Sequence, residues 1–315
     1  MRIELEDVCK TYDGCRWVVR DLRFAVDPGR IVGLIGPNGA GKSTTLRMLA
    51  TQLAPSRGTI RYDGVPPSER TLGEIRRRIG FLGDGHALYP DMTPREYLEF
   101  FGRCFGLDGD ACRRAVEETL ETFALSGKAD TPTAALSKGM RQRLSLARCF
   151  LHAPEVLVVD EPADGLDPRG RIDLRRILRA AADGGASVVV SSHILRELDG
   201  LCDEVVILRD GRAEVIDVAR SSSVHAASAS RYRLRTTTVE PERVAAVAQA
   251  HDALVSEVIE AAPGLRVRLL WRRREADLAD LVADLVAAGV PVCGLEREAS
   301  ELEELYDVVA DDRVR

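Results

Sequence analysis

One segment of this chain is compatible with very few folds: a glycine-rich loop followed by lysine and serine, Gly36-Pro37-Asn38-Gly39-Ala40-Gly41-Lys42-Ser43-Thr44. An apolar run at 31–35, which has the character of a buried strand, precedes it. Leu46, Leu49 and Leu53 follow it with the spacing of one helix face. In this context of strand, loop and helix, the spacing is typical of a loop that binds nucleotide phosphates. The alternative is a turn that carries Lys-Ser by coincidence, and both flanks argue against it.

Each residue type in this loop has a physical use at a phosphate. Glycines let the backbone turn tightly, so that successive N–H groups face anionic oxygens. The N-terminus of the following helix adds its positive dipole end. The Lys42 ammonium can reach the β- and γ-phosphates, and the Ser43 hydroxyl can ligate Mg²⁺. The predicted nucleotide-binding residues are Gly36, Pro37, Asn38, Gly39, Ala40, Gly41, Lys42, Ser43 and Thr44.

Two later apolar runs, at 156–159 and 188–190, also end in polar residues. The first is followed by Asp160-Glu161 and the second by Ser191-Ser192-His193. Short continuous apolar runs separated by helical stretches favour parallel strands that are covered on both faces. Ligands bind beyond the carboxyl ends of such strands, so we expect all three clusters to converge on one site.

The remaining patterns divide the chain further. Residues 2–35 have the pattern of short strands joined by turns, which lead into the buried run at 31–35, and residues 59–64 resemble an edge hairpin. A helical subdomain is predicted at about 85–153, and its first helix begins at the capping box Thr93-Pro94-Arg95-Glu96. The predicted fold class is α/β: a mainly parallel sheet with helices, an antiparallel β subdomain and a helical subdomain, in a domain spanning 1–216.

The C-terminal third has a different pattern. Residues 217–230 are rich in Ser and Ala, which is typical of a linker. Residues 231–315 predict a small α+β accessory domain with the element order β-α-β-β-α-β, and we expect a ferredoxin-like unit. A final helix is predicted to begin at Ser300, with Glu303 at capping-box spacing.

Composition narrows the functional classes. The 315-residue chain has a net charge of −6, which gives no support to nucleic-acid binding. No apolar run approaches the ~18 residues that a membrane span needs, and the charged first residues do not resemble a signal peptide. The seven cysteines are scattered and form no Cys-x-x-Cys pair. We therefore expect a cytoplasmic protein.

Leu136-Ser137-Lys138-Gly139-Met140-Arg141-Gln142-Arg143 resembles the signature motif of ATP-binding cassette (ABC) proteins, usually written L-S-G-G-Q. The phosphate loop, this signature, Asp160-Glu161-Pro162, Gly165-Leu166-Asp167-Pro168 and the Ser-Ser-His group occur in that family's order. The resemblance covers about 1–215. It implies the cassette fold, an ATPase activity and ATP with Mg²⁺ as ligands.

The resemblance also implies residue roles. Asp160 would hold the Mg²⁺ shell through water, Glu161 would be the general base, and His193 would contact the γ-phosphate and the attacking water. Ser137 and Gly139 would bind the γ-phosphate of a partner cassette's nucleotide, and Asp167 would link the two sites. Tyr12 would lie against the adenine ring. The alternatives are a surface turn for Asp160-Glu161, a structural histidine, and a core or edge-strand tyrosine.

Four positions depart from the family pattern. Lys138 and Met140 stand where glycine and glutamine are common, and both leave Ser137 and Gly139 in place. The segment 79–84 resembles the family's glutamine loop, with Gly83-Asp84 in place of Pro-Gln. We expect Asp84 to serve as a metal-shell ligand.

The leading functional hypothesis is the ATPase subunit of a transporter, with a separate transmembrane permease and a second cassette as partners. The C-terminal extension favours an exporter of the bacterial multidrug or antibiotic type, peripheral on the inner face of the membrane. The second cassette is a copy of this chain or a homologue. A regulatory ABC ATPase with slow hydrolysis is the alternative, and a nucleic-acid factor is disfavoured by the acidic charge.

Overall fold

The computed structural model describes residues 1–83, 88–217, 230–237, 240–260, 264–271, 273 and 277–297. The chain divides into two compact units, Met1–Ile216 and Asp217–Arg315, and each has its own hydrophobic core. Three expectations fall outside the described residues: Asp84, the linker segment 218–229 and the helix predicted from Ser300. Across the part of the chain that is described, no helix is both long enough and apolar enough to cross a membrane.

A three-stranded antiparallel sheet forms one part of the first unit. Its order is β2-β1-β4, with β1 at Ile3–Thr11, β2 at Trp17–Val26 and β4 at Arg57–Tyr62. The turn between β1 and β2 is held by Asp13, whose Oδ1 accepts hydrogen bonds from the backbone N–H groups of Cys15 (2.9 Å) and Arg16 (2.8 Å). These bonds to the charged form lower the pKa of Asp13.

A six-stranded sheet lies at the centre of the unit. Its order is β5-β6-β7-β3-β8-β9, and the pairs from β5 to β8 are parallel. The apolar runs are fully buried in β3, β6 and β7, as the sequence predicted, and the α/β fold class is confirmed. The strands are β3 (Ile31–Ile35), β5 (Ile79–Leu82), β6 (Val156–Val159), β7 (Ser187–Ser192), β8 (Glu204–Arg209) and β9 (Arg212–Asp217).

Helices connect and cover these strands. Those of the sheet layer are α1 (Lys42–Leu49), α2 (Leu72–Arg77), α6 (Pro168–Asp183) and α7 (Leu195–Leu198). The insertion before β6 contains α3 (Pro94–Cys104), α4 (Gly109–Thr122) and α5 (Lys138–Phe150), with short 3₁₀ turns at Ser126–Lys128 and Thr133–Ala135. The predicted capping box is confirmed: the Thr93 side chain accepts from Glu96 N, and Glu96 Oε2 accepts from Thr93 N at 2.8 Å.

The second unit has one antiparallel sheet of order β11-β12-β10-β13. Its elements follow the predicted order: β10 (Ser230–Thr236), α8 (Pro241–Ala250), β11 (Ala253–Glu260), β12 (Leu265–Trp271), α9 (Leu278–Ala287) and β13 (Val292–Arg297). Alternate residues of β10 and β12, such as Leu234 and Val267, join Leu281 and Leu285 in the core. Asp217 and Ser230, expected in the linker, are instead strand residues, and Ser230 pairs with Trp271.

Candidate functional site

The three polar clusters predicted to converge follow strands that are neighbours in the sheet. Strands β6, β7 and β3 are adjacent and parallel, so the phosphate loop, Asp160-Glu161 and His193 all leave the same edge. A pocket of about 490 Å³ opens there. Its lining consists of Val18, Asn38, Gly39, Gly41, Lys42, Ser43, Thr44, Glu161, Asp164 and His193.

The loop requires glycine at two of its positions for different reasons. Gly41 has a φ of +103°, and a Cβ there would lie 2.9 Å from the Val18 carbonyl oxygen. A Cβ on Gly36 would lie 2.3 Å from the carbonyl oxygen of Leu208. Gly41 is also the N-cap of α1 and supplies no side-chain cap. The first amides of α1 therefore have no capping side chain from that position and are suited to an anionic ligand.

Lys42, the first residue of α1, is almost buried. Its ammonium donates to the Gly36 carbonyl oxygen at 2.7 Å, so the side chain lies back along the loop. The same nitrogen is 3.9 Å from Glu161 Oε1. This places a fixed positive charge between the loop and the acidic group that follows β6, where a terminal phosphate would need compensation.

Glu161 and His193 form a direct pair at the mouth of the pocket. His193 Nδ1 lies 2.8 Å from Glu161 Oε2, and the His193 backbone N–H donates to the same oxygen at 3.4 Å. A carboxylate can only accept a hydrogen bond, so Nδ1 is the donor in this pair when Glu161 is ionised. Glu161 has a φ of +45°, an unusual conformation for a residue with a Cβ. The His193 side chain is 55% exposed, so it faces solvent rather than the core.

Asp160 lies beneath this pair and is 5% exposed. Ser191 Oγ donates a hydrogen bond to Asp160 Oδ1 and accepts one from Glu161 N at 2.9 Å. The sequence placed Ser191 only beside His193, and no local pattern pointed to a contact with either acidic residue. The burial and these contacts argue against a surface turn at Asp160-Glu161.

Tyr12 follows β1 and lies next to the phosphate loop. Its hydroxyl is 3.2 Å from Thr44 Oγ1, and Lys10 Nζ lies 5.7 Å from its ring centroid. The residue is 60% exposed, which excludes the core alternative, and its place directly after β1 is also that of an edge-strand tyrosine.

The signature residues lie outside the pocket lining among the described residues. Ser137 is exposed and caps α5 by accepting from Met140 N at 3.2 Å. Gly139 is half-buried, and a Cβ there would lie 3.2 Å from the Gly165 carbonyl oxygen. Within one chain, the structure therefore does not bring Ser137 or Gly139 into the phosphate pocket.

Contacts within the chain tie α5 to the loop before α6. Lys138 Nζ is 3.3 Å from Asp164 Oδ2, and Gln142 Nε2 donates to the Pro162 carbonyl oxygen at 3.1 Å. Asp167 caps α6 by accepting from Gly170 N at 2.8 Å. The signature and this loop thus form one exposed surface beside the pocket.

The oxygen groups around the loop suit Mg²⁺. Ser43 lines the pocket and Asp160 lies directly after β6, and Mg²⁺ is held by few protein oxygens together with water and substrate phosphates. Among the described residues, no group of three or more His, Cys, Asp or Glu forms a metal site by itself. The residues present fit an ion that the nucleotide helps to hold.

Comparison with known proteins agrees with this arrangement. A family model described as ABC transporter matches residues 19–164. The chain is 43% identical over 210 residues to the Nod factor export ATP-binding protein I of Paraburkholderia xenovorans (strain LB400), covering 67% of this chain and 68% of that protein. It is 32% identical over 309 residues to an uncharacterized ABC transporter ATP-binding protein of Bacillus subtilis (strain 168), covering 96% and 98% respectively.

A solved structure shares the fold. It is a dimeric ATP-binding cassette in a post-hydrolysis state bound to ADP and Pi, and it is 25% identical, with a TM-score of 0.62. The match covers 68% of this chain and 98% of that one. The chain described here belongs to the ABC transporter family and is an ATP-binding subunit of that family.

Proposed function

We propose that this chain hydrolyses ATP and couples that reaction, in a head-to-tail pair of cassettes, to transport by a separate membrane permease. The observation that carries the proposal is the convergence of Lys42, Glu161 and His193 on the pocket formed by the phosphate loop. A loop for phosphates, a carboxylate and a histidine within contact distance are the groups that a hydrolytic phosphoryl transfer needs.

In the proposed reaction, the loop amides and Lys42 hold the β- and γ-phosphates of ATP. Glu161 accepts a proton from a water molecule as that water attacks the γ-phosphorus, and the bond to the β-phosphate oxygen breaks to give ADP and phosphate. His193 orients the Glu161 carboxylate through Nδ1, which leaves Nε2 for the water or the γ-phosphate. Mg²⁺ would be held by the Ser43 hydroxyl and, through water, by the Asp160 carboxylate, and it would neutralise phosphate charge.

A second cassette is needed because the signature lies outside its own chain's pocket. Exposed Ser137 and half-buried Gly139 lie at the N-terminus of α5, which suits a phosphate bound by another chain. A two-fold arrangement would satisfy both sites at once. The structural neighbour described above is itself a dimeric cassette. We propose a homodimer, and a heterodimer with a homologous cassette is the variant of this proposal.

The helical subdomain offers a surface for the permease. A groove of about 380 Å³ is lined by residues of this subdomain, including Pro90, Thr133 and Arg141. Tyr89 is 49% exposed and Phe100 44% exposed, and their rings meet edge-on at 6.1 Å. Exposed aromatic side chains of this kind are typical of protein interfaces. We propose that the permease docks here and that the subunit lies at the inner face of the membrane.

Export is the proposed direction. The support is that several relatives are named Nod factor export ATP-binding proteins. The alternative proposal is a regulatory cassette with slow hydrolysis.

Turnover by the purified chain tests the enzymatic part. With Mg²⁺ present, Glu161→Gln should retain ATP binding and lose about 10²- to 10⁴-fold in turnover, because the general base is gone. Glu69→Gln is the matched control, since Glu69 is exposed and makes the same charge change. Near-normal turnover in Glu161→Gln would remove Glu161 from this role.

Dimerisation tests the arrangement of cassettes. Glu161→Gln should dimerise on adding ATP in size-exclusion chromatography with light scattering, and adding Ser137→Arg should abolish the dimer. Adding Ser126→Arg instead should leave it intact, because Ser126 is an exposed serine elsewhere in the helical subdomain. A monomer at saturating ATP would favour the heterodimer.

Affinity purification from membranes tests the transport part. A protein with several membrane spans should co-elute with the chain, and Phe100→Glu should release it. Ile172→Glu, which places the same charge at an apolar residue that is 52% exposed on α6, should not. Turnover without any co-eluting membrane protein would support the regulatory alternative.

A further inference from the structure

We propose that Ser191 is a positioning residue. Its hydroxyl holds Asp160, the proposed metal-shell residue, and Glu161, the proposed general base, in fixed positions relative to each other and to His193. This inference rests on the proposed function. It concerns a residue of β7 to which the sequence assigned no role beyond its place beside His193.

The Ser191 hydroxyl both donates and accepts a hydrogen bond within the site. It has one proton, which it donates to Asp160 Oδ1, and it accepts from Glu161 N at 2.9 Å. Ser191 is 0% exposed and Asp160 is 5% exposed, so water does not compete freely for these bonds. Hydrogen bonds to charged groups at buried sites are the strong ones.

Glu161 is consequently held at its backbone by β7 and at its carboxylate by the residue that follows β7. Its backbone N–H bonds to Ser191, and its carboxylate bonds to the side-chain and backbone nitrogens of His193, two residues further along. Ser191 lies in β7 and His193 directly follows Ser192, the last residue of that strand, so both contacts reach Glu161 from the carboxyl end of β7. The attachment fixes the direction in which the carboxylate points.

This attachment matters because Glu161 has an unfavourable backbone conformation. Its φ of +45° is in the left-handed region, which a non-glycine residue occupies only when surrounding contacts hold it there. Ser191 supplies such a contact at the residue's own N–H. Without it, Glu161 can relax to an ordinary conformation that moves its carboxylate away from Lys42 and His193.

Asp160 is affected through the same hydroxyl. The bond to Oδ1 restrains the rotation of the carboxylate, and restrained ligand groups bind metal ions more tightly than free ones. Loss of the Ser191 hydroxyl should therefore lower the affinity for the metal ion and also displace the Glu161 carboxylate. The phosphate loop should remain unchanged.

The test compares two buried serines on one strand. Ser187 is also 0% exposed in β7, but its Oγ donates to the Met1 carbonyl oxygen at 2.7 Å, away from the phosphate pocket. Ser191→Ala and Ser187→Ala thus remove the same group from the same strand. Ser191→Thr retains the hydroxyl and Ser191→Cys retains the volume.

The readouts are kcat and KM for ATP, affinity for a fluorescent ATP analogue, and Mn²⁺ binding in the presence of ADP by electron paramagnetic resonance. Ser191→Ala should lower kcat about 10- to 100-fold and weaken Mn²⁺ binding several-fold, with analogue affinity within about twofold of the parent. Ser191→Thr should restore both quantities, and Ser187→Ala should change neither.

Two results would overturn the inference. One is a folded Ser191→Ala protein with kcat and Mn²⁺ affinity within twofold of the parent. The other is an equal loss in Ser187→Ala, which would assign the effect to the stability of β7. If Ser191→Ala does not fold, Ser191→Cys replaces it, and its kcat and Mn²⁺ affinity are compared with those of the parent and of Ser187→Ala. Should the parent chain itself not hydrolyse ATP, the proposed function fails, and Mn²⁺ binding still tests Ser191 separately.

Discussion

Two histidines of this protein show how environment decides the use of one residue type. His193 is exposed and pairs with the Glu161 carboxylate. His152 follows α5, stacks on Phe105 with ring centroids 3.7 Å apart, and has Nε2 3.2 Å from the Ile79 carbonyl oxygen. Burial lowers the pKa of His152 to about 4. The first histidine is suited to chemistry at a phosphate, and the second is a neutral packing residue.

This difference predicts a pH dependence of stability. As the pH falls from about 6.5 to about 4, His152 gains a proton in the unfolded chain before it does so in the folded one. The free energy of unfolding should therefore fall by about 2 kcal/mol over this range from His152, after allowing for its partial exposure. His152→Phe should flatten that part of the profile in urea unfolding at pH 7, 5.5 and 4.5. Equal slopes for the parent and the variant would contradict the prediction.

The starts of four helices differ in whether a side chain caps them. Helices α3, α5 and α6 have side-chain caps from Thr93, Ser137 and Asp167, so their first amides have partners within the chain. Helix α1 begins after Gly41, which has no side chain to accept a hydrogen bond from the first amides. The start of α1 therefore leaves its first amides available to a phosphate in the pocket. Absence of a side-chain cap is not specific to this helix, since α4 also starts without one.

The capping box of α3 should contribute measurably to stability. Thr93→Ala removes the acceptor for Glu96 N and the side-chain partner of Glu96 Oε2, and it should lower the free energy of unfolding by about 1–2 kcal/mol. Thr93→Ser keeps the hydroxyl and should stay close to the parent in denaturant unfolding. ATP turnover should be unchanged in both variants because the box lies outside the phosphate pocket. A cost below about 0.3 kcal/mol for the alanine variant would show that water replaces the box.

At the scale of the whole molecule, the unit that contains the nucleotide site and the C-terminal unit have separate hydrophobic cores. The buried cluster of the first unit runs from Met1 to Leu208, and that of the second from Tyr232 to Val290. Every described residue proposed to bind nucleotide lies in the first unit. A domain with its own core can in principle fold alone.

A chain that ends at Asp217 should consequently fold and bind ATP. Its affinity for a fluorescent ATP analogue should lie within about twofold of that of the full chain, because no group around the loop is removed, and circular dichroism would verify folding. A soluble, folded truncation that does not bind nucleotide would mean that the C-terminal unit contributes to the site.

Much of the site was predictable because its chemistry is encoded locally. The glycines and Lys42 of the loop, the polar residues after apolar runs and the Thr93–Glu96 spacing each involve neighbours in the chain, and such neighbours meet in almost any fold that forms the element. The convergence of three strand ends also followed from the general behaviour of parallel sheets. Asp84 stays a prediction, since it lies outside the described residues, and so do the roles of Ser137, Gly139 and Asp167.

Sequence alone was sufficient for the phosphate loop, the α/β class and the order of the described elements in the second unit, because glycine chemistry and hydrophobic periodicity act over a few residues. Only the tertiary structure decided that Ser191 bonds to Asp160 and Glu161, that Glu161 adopts a positive φ, that Lys42 lies back on Gly36 and that His152 is half-buried. Ser191 and Asp160 are 31 residues apart, and their contact depends on β6 and β7 pairing in one register. Pairing of that kind is set by packing of the whole sheet, which no local pattern records.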